Sequence, residues 1–142
     1  MPEPQAKTLL GFDFGEKRIG IAVGQTLTGS VTPLTTLTAI KQKPDWDGIS
    51  ALIKEWQPDL LILGLPLHMD GSEQTITQRV KRFGHQLEGR YNLPVEWVDE
   101  RLSSYDAEQQ LREQGKRSNK KDIDKLAAAL ILQSWLEQQG NL

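Results

Sequence analysis

The most constraining feature of this sequence is a pair of apolar runs on either side of a short turn, GFDFGEKRIGIAVG. The runs predict strands over Thr8–Phe14 and Arg18–Gln25, and Gly15 between them indicates an antiparallel hairpin. A Thr-rich third strand is predicted over Ser30–Thr38. Pro33 lies within it and favours a sheet edge or a bulge, because proline cannot donate a ladder hydrogen bond.

After the third strand, the apolar period changes to that of helices. DWDGISALIKEWQP predicts an amphipathic helix that ends at Pro58, and DLLILGL predicts a strand buried on both faces. A second helix is predicted around an apolar stripe at 76–87, followed by a fifth strand in PVEWVDE. A short helix over Ser103–Gln114 and a final helix over Asp122–Gln139 complete the chain. This order predicts an α/β fold with a five-stranded mixed sheet flanked by helices.

Composition narrows the class of protein. The 142 residues predict a single domain over 1–142, with a loose tail over 1–7, and no apolar run is long enough to span a bilayer. The absence of cysteine excludes disulfides, thiolate zinc sites and cysteine nucleophiles, and it suits a cytoplasmic location. Two histidines exclude a His-rich metal site. The formal net charge of −2 means that nucleic acid could be attracted only by local patches.

Acidic residues stand at two unusual strand positions. Asp13 falls inside an apolar strand, where burying a charge is expensive, unless the strand ends near Phe12 and Asp13 begins a turn. Asp99 and Glu100 close the fifth strand, and ligand sites in α/β sheets usually lie at strand ends. The alternative there is a solvated strand end that pairs locally with Arg101.

A third unusual acid lies at the start of the final helix. At about 100° per residue, Asp124 points in the same direction as Ala128, Ile131 and Trp135. Asp122 lies on nearly the opposite side and is interpreted as a cap or surface acid. The run of three alanines in this helix allows close approach to the sheet. A charge that stabilises the helix dipole is the alternative role for Asp124.

Together, these acids predict a cluster of three carboxylates that converge from two strands and a helix. Crowded carboxylates repel one another, and each resists ionisation unless a cation is present. With oxygen ligands and neither cysteine nor a histidine cluster, the natural cation is Mg²⁺ or Mn²⁺. Such a site suits phosphoryl chemistry, because the metal activates water and stabilises the leaving oxygen.

Cations for a phosphate backbone are concentrated in one stretch, REQGKRSNKK, which leads directly to Asp124. The predicted nucleic-acid-binding residues there are Arg112, Lys116, Arg117, Lys120 and Lys121. Lys17 and Arg18, which follow Asp13, and Arg101, which follows Glu100, are further candidates. A solvated surface charge is the alternative for each.

Two other groups of residues have ordinary structural explanations. The loop GLPLHMDGS could offer the backbone N–H groups of Gly71 and Ser72 to a phosphate, but a turn with Ser72 as N-cap explains it equally well. The four tryptophans fall mostly on apolar stripes, so they are predicted to be core residues.

Four motifs occur in order: FDFGEKRIGIAVG, ILGLPLHMDGSEQ, VDERLSS and DKLAAALILQSWLE. From about Leu9 to about Glu137, the chain resembles the YqgF/RuvX family, whose members have a ribonuclease-H-like fold. They are described as Holliday junction resolvases and as pre-16S rRNA nucleases. The resemblance implies that Asp13, Glu100 and Asp124 are the catalytic, metal-binding acids. It also implies a Mg²⁺- or Mn²⁺-dependent nuclease that processes the 5′ end of pre-16S rRNA.

Three alternatives stay open from the sequence. The chain could resolve four-way DNA junctions, or it could be a non-catalytic nucleic-acid-binding module of ribosome assembly. An actin-like ATP-binding fold is the third, although such proteins close two domains around the nucleotide. No dimer stripe is recognisable, so a monomer or a weak homodimer is expected, whereas a symmetric resolvase would need a two-fold dimer.

Overall fold

The computed structural model describes residues 6–99 and 120–140. The strands in these residues are β1 (Thr8–Phe14), β2 (Arg18–Gln25), β3 (Ser30–Thr38), β4 (Leu60–Leu65) and β5 (Val95–Asp99). The helices in the same residues are α1 (Trp46–Trp56), α2 (Thr75–Tyr91) and α3 (Lys120–Gly140). No helix of the described chain is long and apolar enough to cross a membrane.

The strands form one mixed sheet in the order β3-β2-β1-β4-β5. The first three strands are antiparallel, whereas β4 runs parallel to both β1 and β5. The predicted α/β class, the opening hairpin and the central position of β1 are therefore confirmed. The short helix predicted over Ser103–Gln114 lies outside the described residues. So do residues 1–5 of the predicted tail, whereas Lys7 exchanges hydrogen bonds with Thr26.

Strand β3 combines both features expected around its proline. It lies at the edge of the sheet, and its register shifts where Ile21 pairs with Thr35 and Ala22 pairs with Pro33. The shift skips Leu34, which makes a β-bulge. An edge position and a bulge are the places where a strand tolerates the missing N–H of proline.

Each face of the sheet has its own apolar core. Helices α1 and α2 cover one face, where Phe12, Leu63 and Phe83 are fully buried. Helix α3 covers the other face, where Leu9, Ile62 and the inward side of α3 pack together. The core prediction for the tryptophans is confirmed, because all four pack in one of these clusters: Trp46, Trp56, Trp97 and Trp135.

Helix α2 begins later than the sequence pattern predicts. Gln74 is its N-cap, in a capping box where the Gln74 N–H donates to Oγ1 of Thr77 at 2.9 Å. The prediction of Ser72 as N-cap is wrong. The Ser72 hydroxyl instead donates to Oδ1 of Asp70 at 2.6 Å, so a nearby carboxylate competes successfully for it.

Helix α3 approaches β1 and β2 very closely, as its alanine run predicts. A Cβ atom on Gly20 would overlap the backbone carbonyl group of Asp124. A Cβ atom on Gly11 would lie 2.5 Å from Cγ of Leu132 and 3.1 Å from the carbonyl oxygen of Ala128. The two glycines therefore set how near the helix comes to the sheet.

We expect Gly20→Ala to lower the free energy of unfolding by about 3 kcal/mol, because backbone atoms cannot move aside as a flexible side chain can. Gly89→Ala is the matched control. Gly89 lies in α2, and its added Cβ would meet no atom within 4 Å beyond its chain neighbours and the nearby backbone of its own helix, so this change should be neutral or stabilising by up to about 1 kcal/mol. Urea unfolding of both variants measures the difference. Equal stabilities would contradict the close approach of α3.

Candidate functional site

Asp13 is part of β1. The strand continues through Phe14, and Asp13 pairs in register with Gly20 on β2. The alternative in which the strand ends near Phe12 is therefore wrong. Alternation along the strand places half-buried Asp13 on the same face as Gly11, the face that α3 covers.

Asp124 lies in the second turn of α3, because this helix begins at Lys120 and not at Asp122 as predicted. A dipole-stabilising role is consequently weaker for Asp124 than the sequence suggests, since the dipole effect fades beyond the first turn. Asp122 behaves as predicted for a surface acid, and its Oδ1 lies 3.6 Å from Nζ of Lys125.

The structure brings two of the three predicted acids to one cavity. Asp13 from β1 and Asp124 from α3 line a space of about 260 Å³, which we name the acid cavity. Its remaining lining residues come from the β1–β2 turn and the start of β2: Gly15, Glu16, Lys17 and Arg18. Asp13 and Asp124 thus line a common space although 111 positions separate them in the sequence.

Arg18 provides positive charge inside the acid cavity. Its Nε donates to Oδ2 of Asp124 at 2.7 Å, and the two side chains are 26% and 20% exposed. The guanidinium therefore partly neutralises one of the proposed metal ligands. The predicted contact between Arg18 and nucleic acid stays a prediction, but the side chain is not simply solvated.

The third predicted acid, Glu100, lies outside the described residues. Its neighbour Asp99 ends β5 and is exposed. Val98 is buried against α3, and Glu96 accepts a hydrogen bond from Nε1 of Trp135 at 3.0 Å. Alternation along β5 then assigns Asp99 to the sheet face opposite the one that α3 covers.

Across residues 6–99 and 120–140, no three His, Cys, Asp or Glu residues form a group that could hold a metal.

The predicted nucleic-acid-binding cations are only partly described. Lys17 is exposed in the β1–β2 turn, and Lys120 and Lys121 are exposed at the start of α3. The carbonyl oxygen of Lys121 accepts a hydrogen bond from Oγ1 of Thr36 at 2.6 Å, which ties the start of α3 to β3. The other predicted cations lie outside the described residues: Arg101, Arg112, Lys116 and Arg117.

The loop before α2 does not offer the predicted phosphate donors. The Gly71 N–H donates to the carbonyl oxygen of His68 at 2.8 Å, and the Ser72 N–H donates to Oδ1 of Asp70 at 2.9 Å. Both N–H groups are therefore engaged within the loop. The hydrogen bonds from the side chain and backbone of Ser72 also lower the pKa of Asp70 below its usual 3.8.

Sequence reasoning missed one ion pair beside the acid cavity. Nη1 of Arg79 on α2 lies 2.8 Å from Oε1 of Glu16 in the β1–β2 turn. The pair ties the turn to α2 across a long sequence separation. No local pattern could have revealed it, because the partners lie on elements whose packing is known only from the fold.

Comparison with known proteins identifies the family. Residues 7–138 match the family model described as "RuvX: Holliday junction resolvase". The chain belongs to the RuvX family. The resemblance drawn from the four sequence motifs is therefore confirmed over nearly the whole chain.

Relatives with high identity give the activity class. A protein from Nitrosococcus oceani is 54% identical over 99% of this chain and 94% of its own length. A protein from Aeromonas salmonicida is 49% identical over 94% of this chain and 97% of its own length. Both are named "Putative pre-16S rRNA nuclease". Family and relatives support the predicted class, a nuclease that hydrolyses ester bonds.

Solved structures similar to this chain confirm the ribonuclease-H-like fold. Thermus thermophilus RuvC aligns with a TM-score of 0.53 and 11% identity, over 94% of this chain and 96% of that one. The fowlpox virus resolvase, solved with Holliday junction DNA, aligns with a TM-score of 0.57 and 14% identity, over 93% of this chain and 98% of that one.

We expect Arg18→Gln to destabilise the protein in EDTA by about 1–2 kcal/mol, because Asp124 then lacks its partly buried cationic partner. The double variant Arg18→Gln/Asp124→Asn should recover part of this loss, since the uncompensated charge is gone. Thermal melts of the parent protein, Arg18→Gln, Asp124→Asn and the double variant measure the coupling. A loss in the double variant equal to the sum of the two single losses would contradict the coupling.

Proposed function

We propose that this chain hydrolyses phosphodiester bonds in structured nucleic acid, with Mg²⁺ or Mn²⁺ held by Asp13, Glu100 and Asp124. The observation that carries the proposal is the shared cavity of Asp13 and Asp124. Two carboxylates that line one space repel each other, and Arg18 pairs with Asp124. A divalent cation between the two acids would offset their repulsion further.

The described side chains fit a hard divalent cation. Both acids offer carboxylate oxygens, the ligands that Mg²⁺ and Mn²⁺ prefer, and the chain contains no cysteine that would favour a softer metal. When bound, the metal would supply an activated water and stabilise the leaving oxygen. Arg18 would orient the Asp124 carboxylate through the hydrogen bond described above.

Glu100, and not Asp99, is our third ligand. Asp13 lies on the sheet face covered by α3, and Asp99 is assigned to the opposite face by alternation along β5. Asp99 is therefore poorly directed toward Asp13. The family motif DER supports the choice of Glu100, which is the next residue in the chain.

The substrate that we propose is the 5′ end of pre-16S ribosomal RNA. The names of the two relatives described above support it. A cytoplasmic location belongs to the same proposal, because precursor rRNA is processed there in bacteria and the chain has no cysteine that needs an oxidising compartment.

A four-way DNA junction is the second candidate substrate. The description of the matching family model favours it. Symmetric cleavage of a junction requires two active sites related by a two-fold axis, so this candidate predicts a homodimer on DNA. A non-catalytic binding module is less well supported, because binding alone does not require Asp13 inside a strand.

We expect Asp13→Asn and Asp124→Asn each to reduce metal-dependent cleavage at least 100-fold, since asparagine removes the charge that holds the metal (loss of ~3 kcal/mol or more). Asp122→Asn is the matched control, because it makes the same change two residues from Asp124 on the other side of the helix. It should leave the rate nearly unchanged.

The assay compares precursor 16S RNA with a four-way DNA junction, each with Mg²⁺ or Mn²⁺. Thermal melts with and without Mn²⁺ provide a second readout, and metal stabilisation should disappear in Asp13→Asn. Full activity of Asp13→Asn, or a larger effect of Asp122→Asn than of Asp124→Asn, would show that the proposed site is wrong. Cleavage of the DNA junction alone would replace the RNA substrate with the second candidate.

The exposed lysines at the start of α3 predict a salt-dependent affinity. Replacing Lys120 and Lys121 with glutamine should make the negative slope of log affinity against log salt shallower by roughly 1.5, because fewer counterions are released on binding. Lys116 and Arg117 should add further decreases in a quadruple variant. Fluorescence anisotropy at several salt concentrations measures the slope. An unchanged slope would assign the backbone contacts to other residues.

A further inference from the structure

A larger cavity, of about 760 Å³, opens beside the same hairpin turn, and we name it the aromatic cavity. Gly15, Glu16 and Lys17 line both this cavity and the acid cavity. Alternation along β1 explains the arrangement. Asp13 lies on the face covered by α3, whereas Phe14 lies on the opposite face and lines the aromatic cavity. The β1–β2 turn therefore separates two neighbouring cavities.

The aromatic cavity has planar groups along one wall. The ring centroid of Phe83 lies 4.9 Å from that of Phe14 and 5.5 Å from that of Trp46. All three rings line the cavity; Phe83 is fully buried, whereas Phe14 and Trp46 are half-buried. The guanidinium of Arg90 lies 4.0 Å from the Trp46 ring centroid and adds a planar cation to this wall.

The charge of the aromatic cavity is strongly positive. Its basic residues are Lys17, Lys43, Arg79, Arg82 and Arg90. Two acids, Glu16 and Asp45, also line it, and Glu16 pairs with Arg79, so cations exceed acids. The whole chain carries a net charge of −2, so this excess of cations is local. A ligand that complements both the charge and the wall is an anion with a flat ring.

We propose that the aromatic cavity receives an unpaired nucleotide adjacent to the phosphate that is cleaved. The inference rests on the proposed nuclease function and specifies its substrate class, a nucleic acid with unpaired nucleotides at the cleavage position. Aromatic rings and arginine planes are the usual supports for unstacked bases. The volume lies within the roughly 300–1,000 Å³ of small-ligand sites. A continuous duplex keeps its bases stacked and cannot place one there.

The test is a binding experiment in EDTA, so that no cleavage occurs. The probes are a labelled 12-nucleotide single strand, the same strand annealed to its complement, and the same strand without bases. Arg90→Gln should weaken binding of the single strand about tenfold and binding of the duplex much less. Its affinity for the baseless strand should equal that of the parent protein within about twofold.

Lys54→Gln is the matched control. Lys54 and Arg90 are each the basic residue in the last turn of a helix, but Lys54 lines neither cavity. This variant should bind all three probes like the parent protein. Arg82→Gln, which changes a second exposed cation of the cavity, should reproduce the selective loss for the single strand.

Several outcomes would overturn the inference. If Arg90→Gln weakened binding of the single strand and of the duplex equally, Arg90 would act only through general charge attraction. An acidic peptide that displaces the strand at equal concentration would indicate a different ligand. If these occur while Asp13→Asn still lacks cleavage, the proposed function stands. If cleavage does not require Asp13, the proposed function fails, whatever the binding result.

Discussion

The close contact between α3 and the sheet determines the whole candidate site. Gly20 leaves space for the backbone of Asp124, and Gly11 does the same for Ala128 and Leu132. A side chain at either glycine would push the helix outward and carry the Asp124 carboxylate away from Asp13. The chemistry of the acid cavity therefore depends on two residues that have no side chain and take no part in it.

The alternation of β1 directs neighbouring residues to cavities on opposite faces of the sheet. Asp13 and Phe14 are neighbours in the chain, but one contributes to the acid cavity and the other to the aromatic cavity. The turn that follows them, with Gly15 and Lys17, borders both. In the proposed function, a nucleic acid strand that crossed this turn would contact both cavities, so a single hairpin would couple recognition to the position of cleavage.

Periodicity predicts much of this fold, but it cannot predict contacts between distant side chains. The strand bounds follow from apolar runs, and Asp124 could be assigned inward from its angular position on the helix. The ion pair of Arg18 with Asp124 joins residues 106 positions apart, and no local pattern indicates it. The predicted cap at Ser72 fails because Asp70 competes for its hydroxyl. Trp46 was correctly predicted to pack in the core, but a half-buried ring also lines a cavity, which sequence alone does not reveal.

Arg18 connects the stability of the fold with the proposed chemistry. Its guanidinium compensates the charge of Asp124, so the acid can be held near Asp13 before any metal binds. In the proposed function, a metal would share Asp124 with Arg18, which would lower metal affinity relative to an acid cluster without a cation. In return, the Asp124 carboxylate would already be oriented for the metal, because it accepts a hydrogen bond from Arg18. The same guanidinium would then be placed to attract a substrate phosphate, since its remaining N–H groups can donate to an anion.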